Sequence, residues 1–237
     1  MVLRREYCQM MKLKRLTISL CVALASVFQP LDAQESDSAE KQFSEWRAKA
    51  EKGDAEAQFT TGYFYLVGQG VTQNQAEGVK WYRKAADQNL VTAQFNLATC
   101  YEKGQGVAAN LVEAARWYRK AADQNFAAAQ FNLGQAYLHG AGVASNLVEA
   151  VKWYRKAAEQ NSAVAQYTLG RCYLKSFGVA QDFLEGYKWI FLAATHGNEQ
   201  AKNTVVNLET AMSPEEIAQG KQRANDWLKR HPGDALP

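Results

Sequence analysis

The sequence has few of the residues on which catalysis and metal binding usually depend. It contains only three histidines and four cysteines among 237 residues. No histidine has a second histidine three or four positions away, and no CxxC pair occurs, so the spacing typical of a zinc site is absent. No stretch resembles the nucleophile turn of hydrolases. The sequence therefore predicts no catalytic residue, no metal site and no cofactor.

The body of the chain also lacks an excess of charge. The formal net charge is +3, from 27 basic and 24 acidic residues. The first 33 residues hold five of these bases and two of these acids, so 22 of each remain in the rest of the chain. A neutral body gives no electrostatic reason to bind nucleic acid or an anionic membrane. We therefore expect neither as a partner.

No apolar run is long enough to predict a transmembrane helix. The longest, "LTISLCVALASVF", covers residues 16–28 and is short of the ~20 residues that span a bilayer. Basic residues before it and small residues after it predict a signal peptide over residues 1–33, cleaved at its end, and a periplasmic or secreted protein. Cleavage after Ala25 and an uncleaved anchor are the alternatives. Met10 and Met11 are alternative start residues.

One phrase recurs along the chain at a constant interval. The sequence "WYRKAADQN" starts at Trp81 and again at Trp117, "WYRKAAEQN" starts at Trp153, and a divergent copy, "WIFLAATHGN", starts at Trp189. Such a period, 36 residues here, is the signature of a repeat protein. No segment alternates with period two for long enough to predict a strand. The aligned turn glycines keep the interval without a gap: Gly70, Gly106, Gly142 and Gly178.

Each unit contains two helical patterns, as its third copy, residues 126–161, illustrates. Ala129 and Leu133 follow helical spacing in its first half. Gly134 lies on the same stripe. Because a mid-helix glycine costs about 1 kcal/mol relative to alanine, it predicts the close approach of a neighbouring helix. The turn "HGAGV" follows, and Asn161 ends the second helix at a position that tolerates left-handed backbone.

The second helix of each unit carries the repeated phrase and has its own apolar stripe. Its Arg–Lys pair falls off that stripe, so we expect the pair to face solvent; a basic stripe that binds a ligand is the alternative. One helix pair cannot cover its apolar face, so neighbouring pairs must stack. The predicted fold is an all-α superhelical α/α solenoid of helix-turn-helix repeats. The stripe comprises Leu147, Ala150, Val151, Tyr154, Ala157 and Ala158.

The repeats predict the organisation of the whole chain. Residues 34–40 are expected to form a linker, 41–53 an N-terminal capping helix, 54–198 the four repeats, and 199–237 C-terminal capping helices and a tail. In the last segment, Ser213, Pro214 and Glu216 predict a capping box at a helix start. The apolar residues that replace Tyr–Arg–Lys in the fourth unit predict burial under this cap.

The repeated pattern resembles a known family. The phrase "AQFNLGQAYLHGAGV" and the following "NLVEAVKWYRKAAEQN" resemble the Sel-one-like repeat, a relative of the tetratricopeptide repeat, and the resemblance covers residues 54–197. It implies an exported, non-enzymatic scaffold or adaptor for a protein or peptide partner, with a role in envelope regulation or host contact. We expect this protein to be a monomer.

A rival function comes from one branch of the same family. A cysteine-rich secreted branch is linked to binding β-lactams, so a β-lactam-binding or β-lactam-hydrolysing enzyme is the alternative. The chain lacks the paired cysteines that mark each repeat of that branch. Cys100 and Cys172 occupy the same repeat position and are expected to be buried. Two repeats of helices packed about 8–10 Å apart place them ~20 Å apart or more, beyond the ~7 Å limit for a disulfide.

The binding surface is predicted from the related tetratricopeptide fold, in which the first helices line a concave face. Polar side chains there can hydrogen-bond an extended peptide. Phe59, Phe95, Phe131 and Tyr167 border the groove, either as contacts or only as core. Arg171 is the strongest candidate, because it can pair with a carboxylate. The predicted partner-binding residues are Tyr63, Leu66, Asn96, Thr99, Glu102, Asn132, Gln135, Leu138, Thr168, Arg171 and Leu174.

Overall fold

The described part of the chain consists of helices joined by short turns. The computed structural model describes residues 31–231, with side chains from residue 37 onward, and this range contains no strand. The predicted signal peptide lies almost entirely outside the described residues. The helices of the described range are α1 (Leu31–Glu51), α2 (Ala55–Val67), α3 (Gln75–Asp87), α4 (Val91–Lys103), α5 (Leu111–Asp123), α6 (Ala127–His139), α7 (Leu147–Glu159), α8 (Ala163–Lys175), α9 (Phe183–Thr195), α10 (Glu199–Ala211) and α11 (Pro214–Arg230).

The helices pack one after another along the chain and form a continuous stack. Within the repeats, α2 packs against α3, α4 against α5, α6 against α7 and α8 against α9. Between the repeats, α3 packs against α4, α5 against α6 and α7 against α8. Leu97, Leu133 and Leu169, at the same position of successive first helices, have no exposed surface. The predicted α/α solenoid of 36-residue helix pairs is confirmed.

Each turn is fixed by a capping side chain or by a left-handed residue. The second helices are capped by Asn74, Asn110, Asn146 and Asp182, whose side-chain oxygens accept backbone N–H groups. The first helices end in left-handed backbone at Gly68, Gly104, Gly140 and Ser176. The second helices of the first three repeats are followed by Asn89, Asn125 and Asn161, with φ between 62° and 64°, as predicted.

Glycines of the repeats make close approaches that a side chain would block. A Cβ on Gly134 would lie 2.5 Å from Cε1 of Tyr154 in α7, which confirms the predicted close approach. A Cβ on Gly142 would lie 2.0 Å from the carbonyl oxygen of Leu111, at the start of α5 in the preceding repeat. We call this contact the glycine seat. It recurs at each junction: Gly70 on Ala39, Gly106 on Gln75 and Gly178 on Leu147.

The N-terminal cap is longer than predicted. Helix α1 begins at Leu31, so the prediction of a linker over residues 34–40 is wrong, as is the predicted helix start at residue 41. The repeat register explains the difference. Gly70 contacts Ala39, the residue that stands 36 positions before Gln75 and so occupies the first position of a second helix. Helix α1 therefore acts as the second helix of an incomplete preceding repeat, and Phe43 packs edge-on against Tyr65, with ring centroids 5.2 Å apart.

The C-terminal cap closes the other end of the stack. Helix α11 packs against α9, where the rings of Trp227 and Trp189 lie 5.7 Å apart. Leu192 stands at the position of the exposed lysines of the other repeats, and it is fully buried in the same cluster as Trp227. The predicted burial of the apolar fourth unit under this cap is confirmed. The predicted capping box is also present, with reciprocal hydrogen bonds between Ser213 and Glu216.

The arginines of the repeated phrase lie deeper than predicted. Arg119 and Arg155 are half-buried, and each donates a hydrogen bond to a tyrosine hydroxyl of the next repeat, Tyr137 and Tyr173 respectively. The prediction that the Arg–Lys pair faces solvent is therefore wrong for these arginines, because the long side chain reaches across the repeat junction. The lysines are exposed, and their ammonium groups lie 3.8–4.1 Å from the tryptophan ring centroids of their own helices: Lys84, Lys120 and Lys156.

Candidate functional site

The candidate site is the solvent-facing side of α2, α4, α6 and α8, which we call the first-helix face. Of the eleven predicted residues, Tyr63, Glu102 and Arg171 are exposed, and Tyr63 keeps 47% of its surface accessible. Leu66 is buried and is not part of this surface. The remaining seven are half-buried: Asn96, Thr99, Asn132, Gln135, Leu138, Thr168 and Leu174.

Leu66 is absent from the first-helix face because the second helix has no side chain at the position that faces it. Leu66 and Leu174 lie opposite Gly78 and Gly186, where a Cβ would approach the leucine side chains to 2.8 Å and 2.7 Å. The missing side chain leaves room for the leucine to turn inward. At the same register the middle repeats have Ala114 and Ala150 on the second helix, and the first-helix residues there are the exposed Glu102 and the half-buried Leu138. The first repeat, where Leu66 is buried, therefore offers less side-chain surface at this position than the other three.

Two small cavities open at equivalent places of successive repeat junctions. The central cavity, between the second and third repeats, has a volume of about 90 Å³ and is lined by Glu102, Tyr118, Gln135 and His139, with Leu111 and four alanines around them. The distal cavity, between the third and fourth repeats, has a volume of about 120 Å³. It is lined by Leu138, Tyr154, Thr168, Arg171, Cys172, Lys175 and Phe177.

The structure thus brings five of the predicted residues into two cavities. Glu102 and Gln135 share the central cavity, and Leu138, Thr168 and Arg171 share the distal one. The other predicted residues lie outside both cavities. His139 is exposed at the end of α6 and also lines the central cavity.

Tyrosines of the repeated phrase form the floor of these cavities, and the sequence reading missed this role. The Tyr118 hydroxyl donates to Oε2 of Glu102 at 2.9 Å and lies 3.2 Å from Oγ1 of Thr99. The Tyr154 hydroxyl donates to Oε1 of Gln135 at 2.7 Å. Burial raises the pKa of Tyr118 to about 12, so its hydroxyl remains a hydrogen-bond donor at neutral pH. The "WY" phrase was read only as core, although these hydroxyls reach the opposite surface of the repeat.

Several predicted polar residues already donate hydrogen bonds to backbone carbonyls of their own helices. Thr99 Oγ1 donates to the carbonyl of Phe95 at 3.1 Å, and Thr168 Oγ1 donates to that of Val164 at 2.9 Å. Asn96 Nδ2 donates to the carbonyl of its own helix one turn back, at 2.8 Å. These groups are less available to a peptide backbone than predicted. Arg171 differs, because its guanidinium lies over the Tyr167 ring, 5.7 Å from the centroid, and remains exposed.

A buried ladder of amides joins the repeats away from the first-helix face. In the third repeat, Gln130 Nε2 donates to the carbonyl of Ala122 at 3.2 Å, and its Oε1 accepts from Gln160 Nε2 at 2.7 Å. In the fourth repeat the second donor is replaced by His196, whose Nδ1 lies 2.8 Å from Oε1 of Gln166. Sequence reasoning overlooked this ladder, although its signal was available in the invariant "AQ" pair. The ladder glutamines are Gln58, Gln94, Gln130 and Gln166, each at most 6% exposed.

The described residues contain no arrangement suited to metal binding or nucleophilic catalysis. Within residues 37–231, no three His, Cys, Asp or Glu side chains converge on one point. Cys100 and Cys172 are free and, as predicted, buried, and burial raises the pKa of each thiol to about 11. None of the helices in the described range combines the length and apolarity needed to cross a bilayer.

A wider depression of about 410 Å³ lies at an edge of the solenoid, between the start of α8 and residues 196–200. Three of its lining residues already use polar groups in contacts within the protein. Asn198 caps α10 through the backbone N–H of Ala201, and Glu199 pairs with Lys202 at 2.7 Å. His196 contacts the amide ladder through Nδ1. No nucleophile stands beside a base in this depression.

The stacked helix pairs define a class of protein, the α/α solenoid repeat proteins, which present extended surfaces to their partners. Comparison with family models places the chain within that class. The Sel1 repeat model matches residues 55–90, 91–126, 127–162 and 163–198. The chain belongs to the Sel1 repeat family, as the resemblance predicted. Its fold is a superhelical scaffold of a kind typical of protein–protein interaction.

Solved structures agree with this assignment. A protective antigen of uropathogenic Escherichia coli with an SLR fold is 31% identical over 81% of this chain and 42% of its own, with a TM-score of 0.72. A Sel1 repeat protein from Oxalobacter formigenes is 33% identical over 72% of this chain and 49% of its own, with a TM-score of 0.66. This chain therefore spans less than half the length of either. The search of curated proteins found no match.

Proposed function

We propose that this protein is an exported, non-enzymatic scaffold that binds an extended peptide segment of a partner protein on its first-helix face, which we take to be concave. The observation that supports this most directly is the pair of cavities of about 90 and 120 Å³ at equivalent repeat junctions. Pockets for whole small molecules are usually about 300–1,000 Å³. Cavities this small suit single side chains, presented at intervals by one chain.

The distribution of differences among the repeats supports the same surface. Tryptophans, alanines and seat glycines recur at every junction because they maintain the stack. The position one turn into each first helix instead reads Tyr63, Thr99, Gln135 and Arg171. A surface that differs from repeat to repeat can distinguish one partner sequence from another, and interface hot spots are enriched in Tyr and Arg.

Two alanine substitutions test the surface. We expect Tyr63→Ala with Arg171→Ala to weaken binding of the partner by about 2 kcal/mol or more. The partner itself is to be recovered by co-purification from envelope extracts with the native protein as bait. The helical circular dichroism and melting temperature should be nearly unchanged, because both side chains are exposed.

The matched control is Arg116→Ala with Lys152→Ala. These side chains are 67% and 62% exposed on second helices, and each is held only by a surface ion pair to its own helix. We expect little change in binding. If the control pair abolishes binding and the first-helix pair does not, the partner contacts the second helices and the proposal is wrong.

The proposed export and location rest on the N-terminal sequence and on the family. We propose that the protein works in the periplasm or outside the cell as a monomer, in envelope regulation or host contact. A β-lactam-binding or β-lactam-hydrolysing enzyme of the cysteine-rich branch is the alternative. A hydrolysis assay with a chromogenic β-lactam tests that alternative, and turnover above the buffer rate would overturn the non-enzymatic assignment.

A further inference from the structure

The two cavities occupy the same place in the repeat but differ in chemistry. A shift of 36 residues along the chain carries six of the nine residues that line the central cavity onto residues that line the distal cavity. Glu102 becomes Leu138, so an acid is exchanged for an apolar side chain. The polar and small residues become cationic or aromatic: Gln135 corresponds to Arg171, His139 to Lys175, and Ala141 to Phe177.

The charges on this face are available to a partner. Glu102, Arg171 and Lys175 are all exposed, and within residues 37–231 none of them forms an ion pair. Glu102 receives only the hydroxyl of Tyr118, which leaves acceptor positions for a cation. The central cavity therefore attracts positive charge, and the distal cavity attracts negative charge.

The distal cavity also has an apolar wall. Phe177 is 48% exposed, a large value for a phenylalanine, and Leu138 and the ring of Tyr154 complete the wall. An apolar side chain of the partner can enter here while a neighbouring carboxylate meets Arg171 and Lys175 at the rim. Burial of the apolar side chain would provide affinity, and the charges would set specificity.

The distance between the cavities determines the spacing in the partner. Successive first helices are separated by a second helix, so they lie slightly further apart than the 8–10 Å of directly packed helices, at about 10–12 Å. An extended peptide advances about 3.3 Å per residue. One repeat junction therefore corresponds to about three or four residues of a bound chain.

We propose that the segment recognised by this protein is an extended internal peptide with a Lys or Arg three or four residues from a large apolar residue that adjoins an Asp or Glu. The basic residue binds at Glu102 in the central cavity. The apolar residue enters the distal cavity, and its acidic neighbour pairs with Arg171 and Lys175. This inference rests on the proposed function and adds the charge order of the partner to it.

Synthetic peptides of defined sequence test the pattern. Twelve-residue peptides, acetylated and amidated to remove terminal charges, carry Lys and Leu–Asp at spacings of three and four, in both orders along the chain. Matched peptides exchange the charges to give Glu and Leu–Lys, or replace them with Gln and Leu–Asn. Fluorescence polarisation with the purified protein should give at least about tenfold tighter binding of one Lys/Leu–Asp peptide than of its exchanged form, and the difference should shrink at high salt.

A charge-reversed variant provides the decisive comparison. The triple substitution Glu102→Lys, Arg171→Glu and Lys175→Glu should invert the preference, so that the exchanged peptide binds more tightly. The control Lys41→Glu changes the net charge by the same −2 on exposed α1, where Lys41 forms no ion pair within the described residues, and should preserve the original preference. Circular dichroism checks that each variant is folded.

The results that would contradict the charge pattern differ from those that would contradict the proposed function. If neither order of the Lys/Leu–Asp peptide is preferred over its exchanged form, or if the triple variant keeps the original preference, the charge pattern is wrong. Loss of the natural partner on replacement of Tyr63 and Arg171 by alanine would still support the first-helix face in that case. If the natural partner binds the double alanine variant normally, the proposed function itself fails.

Discussion

Substitution of Gly142 by alanine tests whether the glycine seats hold the repeats together. The Cβ of this alanine would lie 2.0 Å from the Leu111 carbonyl oxygen, 2.3 Å from its carbon and 2.7 Å from the next backbone nitrogen. All three atoms belong to the backbone at the start of α5, which cannot rotate away as a side chain can. The third repeat must therefore move away from the second, or the turn must change its conformation.

The expected cost has two separable parts. Alanine at the φ of +73° found at Gly142 pays about 1–2 kcal/mol for left-handed backbone. Overpacking against the α5 backbone adds about 1–3 kcal/mol. Gly140 isolates the first part, because it lies in the same turn with φ +70° and its Cβ would meet nothing closer than Ser145 Cβ at 3.5 Å. The Gly140→Ala variant should lose only the free energy that is due to left-handed backbone.

Thermal unfolding followed by circular dichroism measures the difference between the two variants. A chain of this size loses about 2–4 °C of melting temperature per kcal/mol, so Gly142→Ala should melt roughly 2–12 °C below Gly140→Ala. Because stability in a stacked repeat protein depends on its junctions, a broader or two-step transition is also expected for Gly142→Ala. Equal melting temperatures with equal cooperativity would refute the argument that the seat clamps the junction.

Three further measurements test other parts of the structure. Gln130→Leu removes the ladder bonds at the carbonyl of Ala122 and should destabilise the protein by about 1–3 kcal/mol. The control Gln69→Leu, on the exposed surface, should change stability by less than about 0.5 kcal/mol. Equal urea midpoints of the two variants would contradict the buried ladder. Because burial raises the pKa of Cys100 and Cys172 to about 11, the native protein from residue 34 onward should react slowly with a thiol reagent at pH 8, and two thiols should react after unfolding without reductant. Fast reaction of the native protein would show that these thiols are accessible. Terminal sequencing of the exported protein should begin at or near Gln34, and recovery of the intact N-terminus would contradict export.

The helical stack was predictable because the same residue types recur at the same positions of every repeat. The capping asparagines, the left-handed Asn161 and the close approach at Gly134 each follow from residue types at fixed positions in the unit. The start of α1 was missed because the residues before 41 carry no tryptophan or alanine of the repeated phrase. Only the register of the seat, which pairs Gly70 with Ala39, requires a helix there.

The candidate site was only partly predictable, since exposure depends on the side chain behind each position. Leu66 and Leu138 look equivalent in the sequence, yet Leu66 turns inward over Gly78 and Leu138 remains at a cavity. Likewise, Arg155 was expected in solvent because it falls off the apolar stripe of its own helix. Its hydrogen-bond partner, Tyr173, belongs to the next repeat, so a prediction made from one helix alone does not include this contact.

The identical junctions give this molecule a simple route to change its length. Each junction between two repeats is made by the same three contacts, namely the amide ladder, the glycine seat and an arginine placed against a tyrosine of the next repeat. Each contact joins one repeat to the one that follows it. A duplicate of residues 126–161 inserted after Asn161 would form junctions of the same type with the repeats on both sides of it. It would add a further cavity at the same interval and leave both caps in place. Gene duplication can therefore extend the set of side chains read from a partner by one position without redesign of any existing contact.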